Sequence, residues 1–227
     1  MLFRLFENRL DSPNIKRIVL QKDKETGNYL TFDHFYIFKG LLGSGAFGVV
    51  VKAINWSTNE ESAVKIINRD HLTKEEDDFM IWEAKILESL DHPNIVKFKR
   101  VMVHHYITIE MELLKGGTLK KVLKQKGKFK EEDVWQVAKG LFEAISYFHQ
   151  RDYIHRDIKM VNVLLKTPYD YSSVKIVDFG LTEVFKTSNH QYVKDKIGTL
   201  IFMAPEQINY TGYGKKVDIW AAGIIIY

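Results

Sequence analysis

Gly43-Ser44-Gly45-Ala46-Phe47-Gly48 runs directly into Val49-Val50-Val51, and that junction separates three folds that share a glycine-rich hexad. Glycines let a backbone approach phosphate oxygens closely and leave amide N–H groups free to donate. A dinucleotide-binding unit needs the hexad to open a helix, but three consecutive β-branched residues open a strand. A P-loop needs Gly-Lys followed by Ser or Thr, and the chain offers Gly127-Lys128-Phe129 and Gly214-Lys215-Lys216 instead. What remains is a strand, a glycine flap and a strand, a hairpin able to close over a triphosphate. An ordinary glycine-rich hairpin fits the same residues.

Outward from the flap, the first part of the chain reads as strands with one helix. Phe35–Phe38 leads into the hexad, and the polar turn Asn55–Asn59 separates Val49–Val51 from the strand Ala63–Ile67. Residues 74–90 have helical spacing, with Phe79, Ile81, Ala84, Ile86, Leu87 and Leu90 on one side. Asp91-His92-Pro93-Asn94 ends that helix, and Ile95–Val103 and Tyr106–Leu113 read as two more strands. Past Gly116-Gly117 the pattern turns helical. Val134, Val137, Ala138, Leu141, Ile145 and Phe148 form one stripe over 131–150, short strands follow at 163–165 and 174–177, and an apolar helix begins near 215. Two lobes are expected, with a boundary near Leu113–Gly117. Residues 1–33 carry turn signals around Ile18-Val19-Leu20 and read as an extension.

Composition narrows the function classes. The 227 residues include no cysteine, which removes disulfide frameworks, thiolate zinc sites and cysteine nucleophiles and suits an intracellular, cytoplasmic protein. Basic residues exceed acidic ones by four and are mostly interleaved with them, so no nucleic-acid partner is expected. Apolar runs fall well short of the ~18 residues that span a bilayer, so no membrane span is expected.

Lys65 stands in an otherwise apolar strand, where a charge is costly unless paired, and Glu83 on the next helix is a possible partner. Further on come His155-Arg156-Asp157-Ile158-Lys159-Met160-Val161-Asn162, then Asp178-Phe179-Gly180, then Ala204-Pro205-Glu206. Asp178 and Asn162 can supply the hard oxygens magnesium prefers. Asp157 can accept a proton from an attacking hydroxyl, and Lys159 can neutralise charge on a moving phosphoryl group. Each aspartate alone is an ordinary turn former. The ordered set is not so easily explained.

In this order the segments resemble the eukaryotic protein kinase family, Ser/Thr type, across roughly residues 36–227. The resemblance implies an α+β, bilobal protein-kinase-like fold: a small antiparallel β-sheet N-lobe with one main helix, and a mainly helical C-lobe. It implies residues 1–34 as an extension and 35–227 as the kinase domain, with lobes at about 35–112 and 113–227. It also implies ATP and Mg2+ as cofactors and transfer of the γ-phosphoryl group to Ser/Thr hydroxyls of protein substrates. Asp157, Lys159 and Lys65 would be catalytic, and Asn162 and Asp178 would hold the metal. The flap residues Gly43, Gly45, Phe47 and Gly48, with Lys65 and Glu83, would serve the phosphates. Leu42, Val50, Ala63 and Leu164 would sandwich adenine, Met111 would be the gatekeeper, and the backbone of Glu112 and Leu113 would meet the base. His155 and Phe179 would be structural, stacking with Leu87. Lys159 and Gly198-Thr199 resemble the Ser/Thr rather than the tyrosine class.

Several positions depart from the family pattern. Met160-Val161 and Thr118 stand where many relatives have acids that read arginines before the acceptor, while Lys115, Lys120, Lys121, Lys124, Lys126, Lys128 and Lys130 crowd nearby. Arginine-rich substrates are therefore not expected to be preferred. Asp195 stands three residues before Gly198, where a regulatory phosphosite is usual, and is expected to imitate the phosphorylated state weakly; Thr187, Ser188 and Tyr192 are alternative phosphosites. The sequence stops at Tyr227 inside the apolar helix, so a C-terminally truncated catalytic domain is expected. An inactive kinase-like fragment acting as a binding scaffold is the alternative. No regulatory partner is indicated.

Overall fold

The computed structural model describes residues 29–30, 36–45, 48–56, 58–70, 72–103, 106–185, 192–209 and 211–227. Most of the expected extension, the flap residue Phe47, Thr187 and Ser188 lie outside these. The chain divides into two compact units, Met1–Ala84 with Phe98–Leu113, and Lys85–Lys97 with Leu114–Tyr227.

The first unit is an antiparallel sheet of β1 (Tyr29–Leu30), β2 (Tyr36–Gly45), β3 (Gly48–Asn55), β4 (Glu61–Asn68), β5 (Phe98–Val103) and β6 (Tyr106–Glu112), in the order β1-β2-β3-β4-β6-β5. Alternation along each strand sends neighbouring residues to opposite faces. Tyr36, Phe38, Val49, Val51, Ala53, Val64 and Ile66 form a buried cluster on one face. Cross-strand partners share a face, and the register Val50↔Lys65, Lys65↔Ile109 and Ala63↔Met111 puts those five residues on the other. The core face also holds Glu110, which accepts from Tyr36 Oη at 2.6 Å, Ser62 Oγ at 2.6 Å and Arg100 Nε at 2.8 Å. Burial pushes its carboxyl up, but the hydrogen bonds from Ser62, Tyr36 and Arg100 outweigh that and hold it below the usual range.

Helix α1 (Lys74–Ser89) starts at a capping box. Thr73 Oγ1 accepts from the Glu76 N–H at 3.2 Å, and Glu76 Oε2 accepts from the Thr73 N–H at 2.8 Å. Glu75, Glu76 and Asp77 complement the positive end of the helix.

The second unit contains β7 (Gly117–Thr118), α2 (Leu119–Lys126), α3 (Glu131–His149), β8 (Tyr153–Ile154), β9 (Val163–Leu165), β10 (Val174–Ile176), β11 (Glu183–Val184), α4 (Pro205–Ile208) and α5 (Lys216–Ile226). β9 pairs with both β7 and β10, and β8 pairs with β11, all antiparallel. The buried stripe of α3 is rotated from the expected one. Val134 and Ala138 are half-buried, while Gly140 and Ala144 join Val137, Leu141, Ile145 and Phe148 inside. The cause is local: a Cβ on Gly140 would lie 2.6 Å from both Asn94 Nδ2 and Val174 Cγ1, so the helix seats there only as glycine. Ile95 does not extend β5 as expected. It forms a parallel bridge to Ile176, fixed by Val96 N–H donating to Ile176 O at 3.0 Å and Lys175 Nζ to Ile95 O at 3.0 Å. Among the described residues no helix is long and apolar enough to cross a membrane.

Candidate active site

In the first unit, Lys65 and Glu83 meet. Lys65 Nζ lies 2.7 Å from both Glu83 carboxylate oxygens, with the two side chains 13% and 2% exposed. The strand puts the ammonium in an apolar setting, and the carboxylate offsets a desolvation that neither charge would bear alone. Val50 and Ala63 are half-buried and Met111 is buried on the same sheet face, while Leu42 is exposed beside the register shift between Leu41 and Gly43. Glu112 and Leu113 close the unit, both half-buried.

The flap glycines divide by role. A Cβ on Gly48 would sit 2.2 Å from Ile66 O, so Gly48 lets β3 approach β4. A Cβ on Gly43 or Gly45 would have no described atom within 4 Å, so packing among the described residues does not require glycine at either position.

In the second unit, the loop between β8 and β9 gathers Asp157, Lys159 and Asn162 and is aimed by contacts from far along the chain. The Asp218 carboxylate, 1% exposed, accepts from the backbone N–H groups of His155 and Arg156 at 2.9 Å each and contacts His149 Nε2 at 2.8 Å. Arg156 takes φ 68°, a left-handed conformation costly to a residue with a Cβ, and Asp218 holds it there. His155 is fully buried; its Nε2 lies 3.2 Å from Val177 O, and its ring packs on Phe179 at 4.8 Å.

Asp157 is the centre of a closed network. Thr199 Oγ1 donates to Asp157 Oδ1 at 2.8 Å, and Lys159 Nζ donates to Asp157 Oδ2 at 2.6 Å and to Thr199 Oγ1 at 3.0 Å. Asn162 Nδ2 donates to the Asp157 carbonyl at 3.0 Å and to Oδ2 at 3.1 Å. Oδ1, with one donor, keeps a lone-pair direction beyond these bonds, whereas Oδ2 has both of its directions taken. Asn162 thereby commits its amide nitrogen to Asp157, and its carbonyl oxygen is the end left for a cation. Its backbone carbonyl accepts from Val177 N–H at 2.9 Å, which leads the chain to Asp178. Asp178 is exposed and takes φ 65°, next to the fully buried Phe179. Two oxygen donors fit an ion that keeps several waters and takes further ligands from substrate phosphates. Leu164, on β9, is half-buried.

Arg156 is also buried. Its Nε donates to Leu181 O at 2.6 Å, Nη2 lies 3.3 Å from Glu183 Oε2, and Nη1 lies 3.9 Å from Asp195 Oδ2, whose side chain is 68% exposed. The Tyr213 hydroxyl nearby is pushed up, chiefly by burial.

Lys65 and Glu83 thus belong to the first unit, and Asp157, Lys159, Asn162 and Asp178 to the second. The sequence reading left two residues out of the site. Thr199 serves there only as a marker of acceptor class, and Asp218 only falls within the apolar helix expected from near 215. Neither spacing nor composition ties them to Asp157.

The first unit thus presents a paired lysine on one sheet face, and the second a loop whose aspartate is held by lysine, threonine and asparagine. Comparison with known proteins gives the family: the protein kinase domain matches residues 36–227, and the chain belongs to it. It is 35% identical to myosin light chain kinase A of Dictyostelium discoideum over 86% of this chain and 66% of that protein. It is 30% identical to serine/threonine-protein kinase 33 of Bos taurus over 95% and 49%, and 34% identical to calcium/calmodulin-dependent protein kinase type 1 of Macrobrachium nipponense over 91% and 59%. The chain thus spans about half to two thirds of the length of these relatives.

Proposed function

We propose that this chain transfers the γ-phosphoryl group of ATP to serine or threonine hydroxyls of protein substrates. The observation that carries the reading is the Asp157 carboxylate, fixed at both oxygens by Thr199 and Lys159 and steadied by Asn162. ATP supplies the phosphoryl group and leaves as ADP, and bound Mg2+ would supply positive charge to its phosphate oxygens. Asp157 orients the acceptor hydroxyl and takes its proton, and Lys159 offsets the negative charge that gathers beside it. Asn162 and Asp178 would hold the metal through their side-chain oxygens. Lys65, positioned by Glu83, binds phosphate oxygens under the flap of Gly43, Gly45, Phe47 and Gly48. Leu42, Val50, Ala63 and Leu164 serve the adenine, with Met111 beside it and the backbone of Glu112 and Leu113 as its hydrogen-bonding edge.

Residues 35–227 form the catalytic domain in this reading, with lobes at about 35–112 and 113–227 and an extension at 1–34. Its partners are protein substrates rather than nucleic acid, and its setting is intracellular. Asp195 stands beside Arg156 as a weak, permanent substitute for a regulatory phosphate, with fewer acceptor oxygens and less charge.

The test is radiolabelled ATP with purified chain and casein as a generic acceptor, beside the Asp157→Asn and Asp178→Asn variants. Label on acceptor serine or threonine that falls at least a hundredfold in both variants supports the reading. Label that survives either substitution overturns it.

A further inference from the structure

Residues 115–130 contain seven lysines and no acidic residue, in a chain whose whole surplus is +4. Lys126 is accounted for, since its Nζ meets Asp133 Oδ2 at 2.5 Å and Tyr171 Oη at 3.0 Å. Lys120, Lys121, Lys124 and Lys128 are exposed and have no carboxylate partner among the described residues. On α2, Leu119 and Val122 turn inward and leave Lys120, Lys121 and Lys124 on the outer side. Their placement is locally unfavourable. Lys120 and Lys121 occupy the first turn, where no acid offsets the helix dipole, and Lys124 repels both at i,i+4 and i,i+3. Among the described residues nothing compensates, which is the pattern of a surface completed by an external anion.

The second observation is position. Lys120 N–H donates to Met160 O at 3.2 Å, and Met160 lies three residues beyond Asp157. Immediately before α2, Gly117 pairs with Leu165 and Thr118 with Leu164. A Cβ on Gly116 would lie 2.5 Å from Leu165 Cβ, so the segment sits tight against β9. The lysine helix is therefore fixed to the loop that presents Asp157. Met160 and Val161 supply no acid there, and Val161 is 39% exposed. Eight helical residues span about 12 Å, the length of three or four residues of extended chain.

We infer that Lys120, Lys121 and Lys124, with Lys128, bind aspartate or glutamate residues flanking the phosphoacceptor, so that this chain selects acidic protein segments. The inference rests on the proposed phosphoryl transfer. A peptide is favoured over a nucleic acid because the positive charge is confined to a short stretch beside Asp157 and the remaining chain is near balance. Exposed charges are screened over about 10 Å at 0.1 M salt, so the selection weakens as salt rises.

The test compares three serine peptides that differ only in flanks of Glu, Ala or Arg, phosphorylated by the full chain at low and high salt. Two triple variants accompany it: Lys120→Gln/Lys121→Gln/Lys124→Gln, and the same three positions changed to Glu. A kcat/KM at least tenfold higher for the Glu peptide, shrinking with salt, abolished by the Gln variant and reversed toward the Arg peptide by the Glu variant, supports the inference. The Ala peptide should be phosphorylated equally by parent and variants, which reports an intact fold. Equal kcat/KM for all three peptides overturns the inference while transferase activity stands. Phosphorylation of no peptide overturns the transferase reading, and the substrate role with it. Duplex DNA or phosphatidylserine vesicles that displace the Glu peptide at lower charge concentration than a free Glu-rich peptide also overturn it.

Discussion

Thr199 donates its hydroxyl to Asp157 Oδ1 at 2.8 Å across 42 residues of sequence, and Lys159 bridges the same two side chains. The carboxylate's direction is therefore set by a residue outside its own loop. Thr199→Val keeps the shape and removes the hydroxyl. Misplacing a reacting group by about 1 Å costs on the order of 100-fold, so kcat should fall by about that factor with KM for ATP unchanged. Thr199→Ser should restore most of it. Steady-state kinetics on one acceptor peptide decide the matter, and an unchanged kcat in Thr199→Val would remove the positioning role.

Glu83→Gln removes the carboxylate that pairs with the Lys65 ammonium, 13% exposed. Breaking a buried ion pair from one side costs about 3–5 kcal/mol. Denaturant unfolding should show a loss of that size, with ATP affinity falling in parallel. Lys65→Met with Glu83→Gln together should recover part of the stability and none of the ATP affinity.

Glu110 gives a pH-dependent expectation. Its folded pKa lies below the unfolded value of about 4.3, so its contribution is fully present above that value and is lost as pH falls through the folded one. Glu110→Gln should cost about 1–3 kcal/mol at neutral pH, since Tyr36, Ser62 and Arg100 keep a weaker acceptor. The difference between parent and variant should close as pH drops below about 4. A constant difference from pH 7 to 3 would contradict the assignment.

Gly140→Ala tests packing against propensity. Alanine ordinarily stabilises a helix interior by about 1 kcal/mol over glycine. Here the added carbon would stand 2.6 Å from Asn94 Nδ2 and Val174 Cγ1, and overpacking costs about 1–3 kcal/mol. The net change should be destabilising, seen as a lower urea midpoint with an unchanged slope.

Asp195→Ala removes the carboxylate 3.9 Å from Arg156 Nη1. Activity should fall severalfold, and Asp195→Glu should retain more of it. Equal activity of parent and Asp195→Ala would dispose of the phosphate-substitute reading.

The parts of this molecule that could be read from its sequence are those in which one residue's chemistry demands another close by. A lysine in an apolar strand demands a carboxylate, and Glu83 on the next helix was the available candidate. The valines after Gly48 forced a strand, and the sheet followed from alternation. The parts that could not be read depend on chain segments meeting after long separations. Thr199 sits in an irregular stretch with no periodicity to place it. Ile95 reads as the start of a strand because it precedes one, yet its backbone bonds are taken by Ile176. Gly140 reads as a weak helix residue until Asn94 and Val174 are seen against it.

Asp218 clips the two peptide groups that precede Asp157 from a helix more than sixty residues downstream. During synthesis, every reactive side chain of the loop emerges from the ribosome before the residue that aims it. A nascent chain halted ahead of that aspartate would therefore carry the whole chemical outfit on a loop whose backbone is not yet clipped, a built-in delay between being made and being able to act.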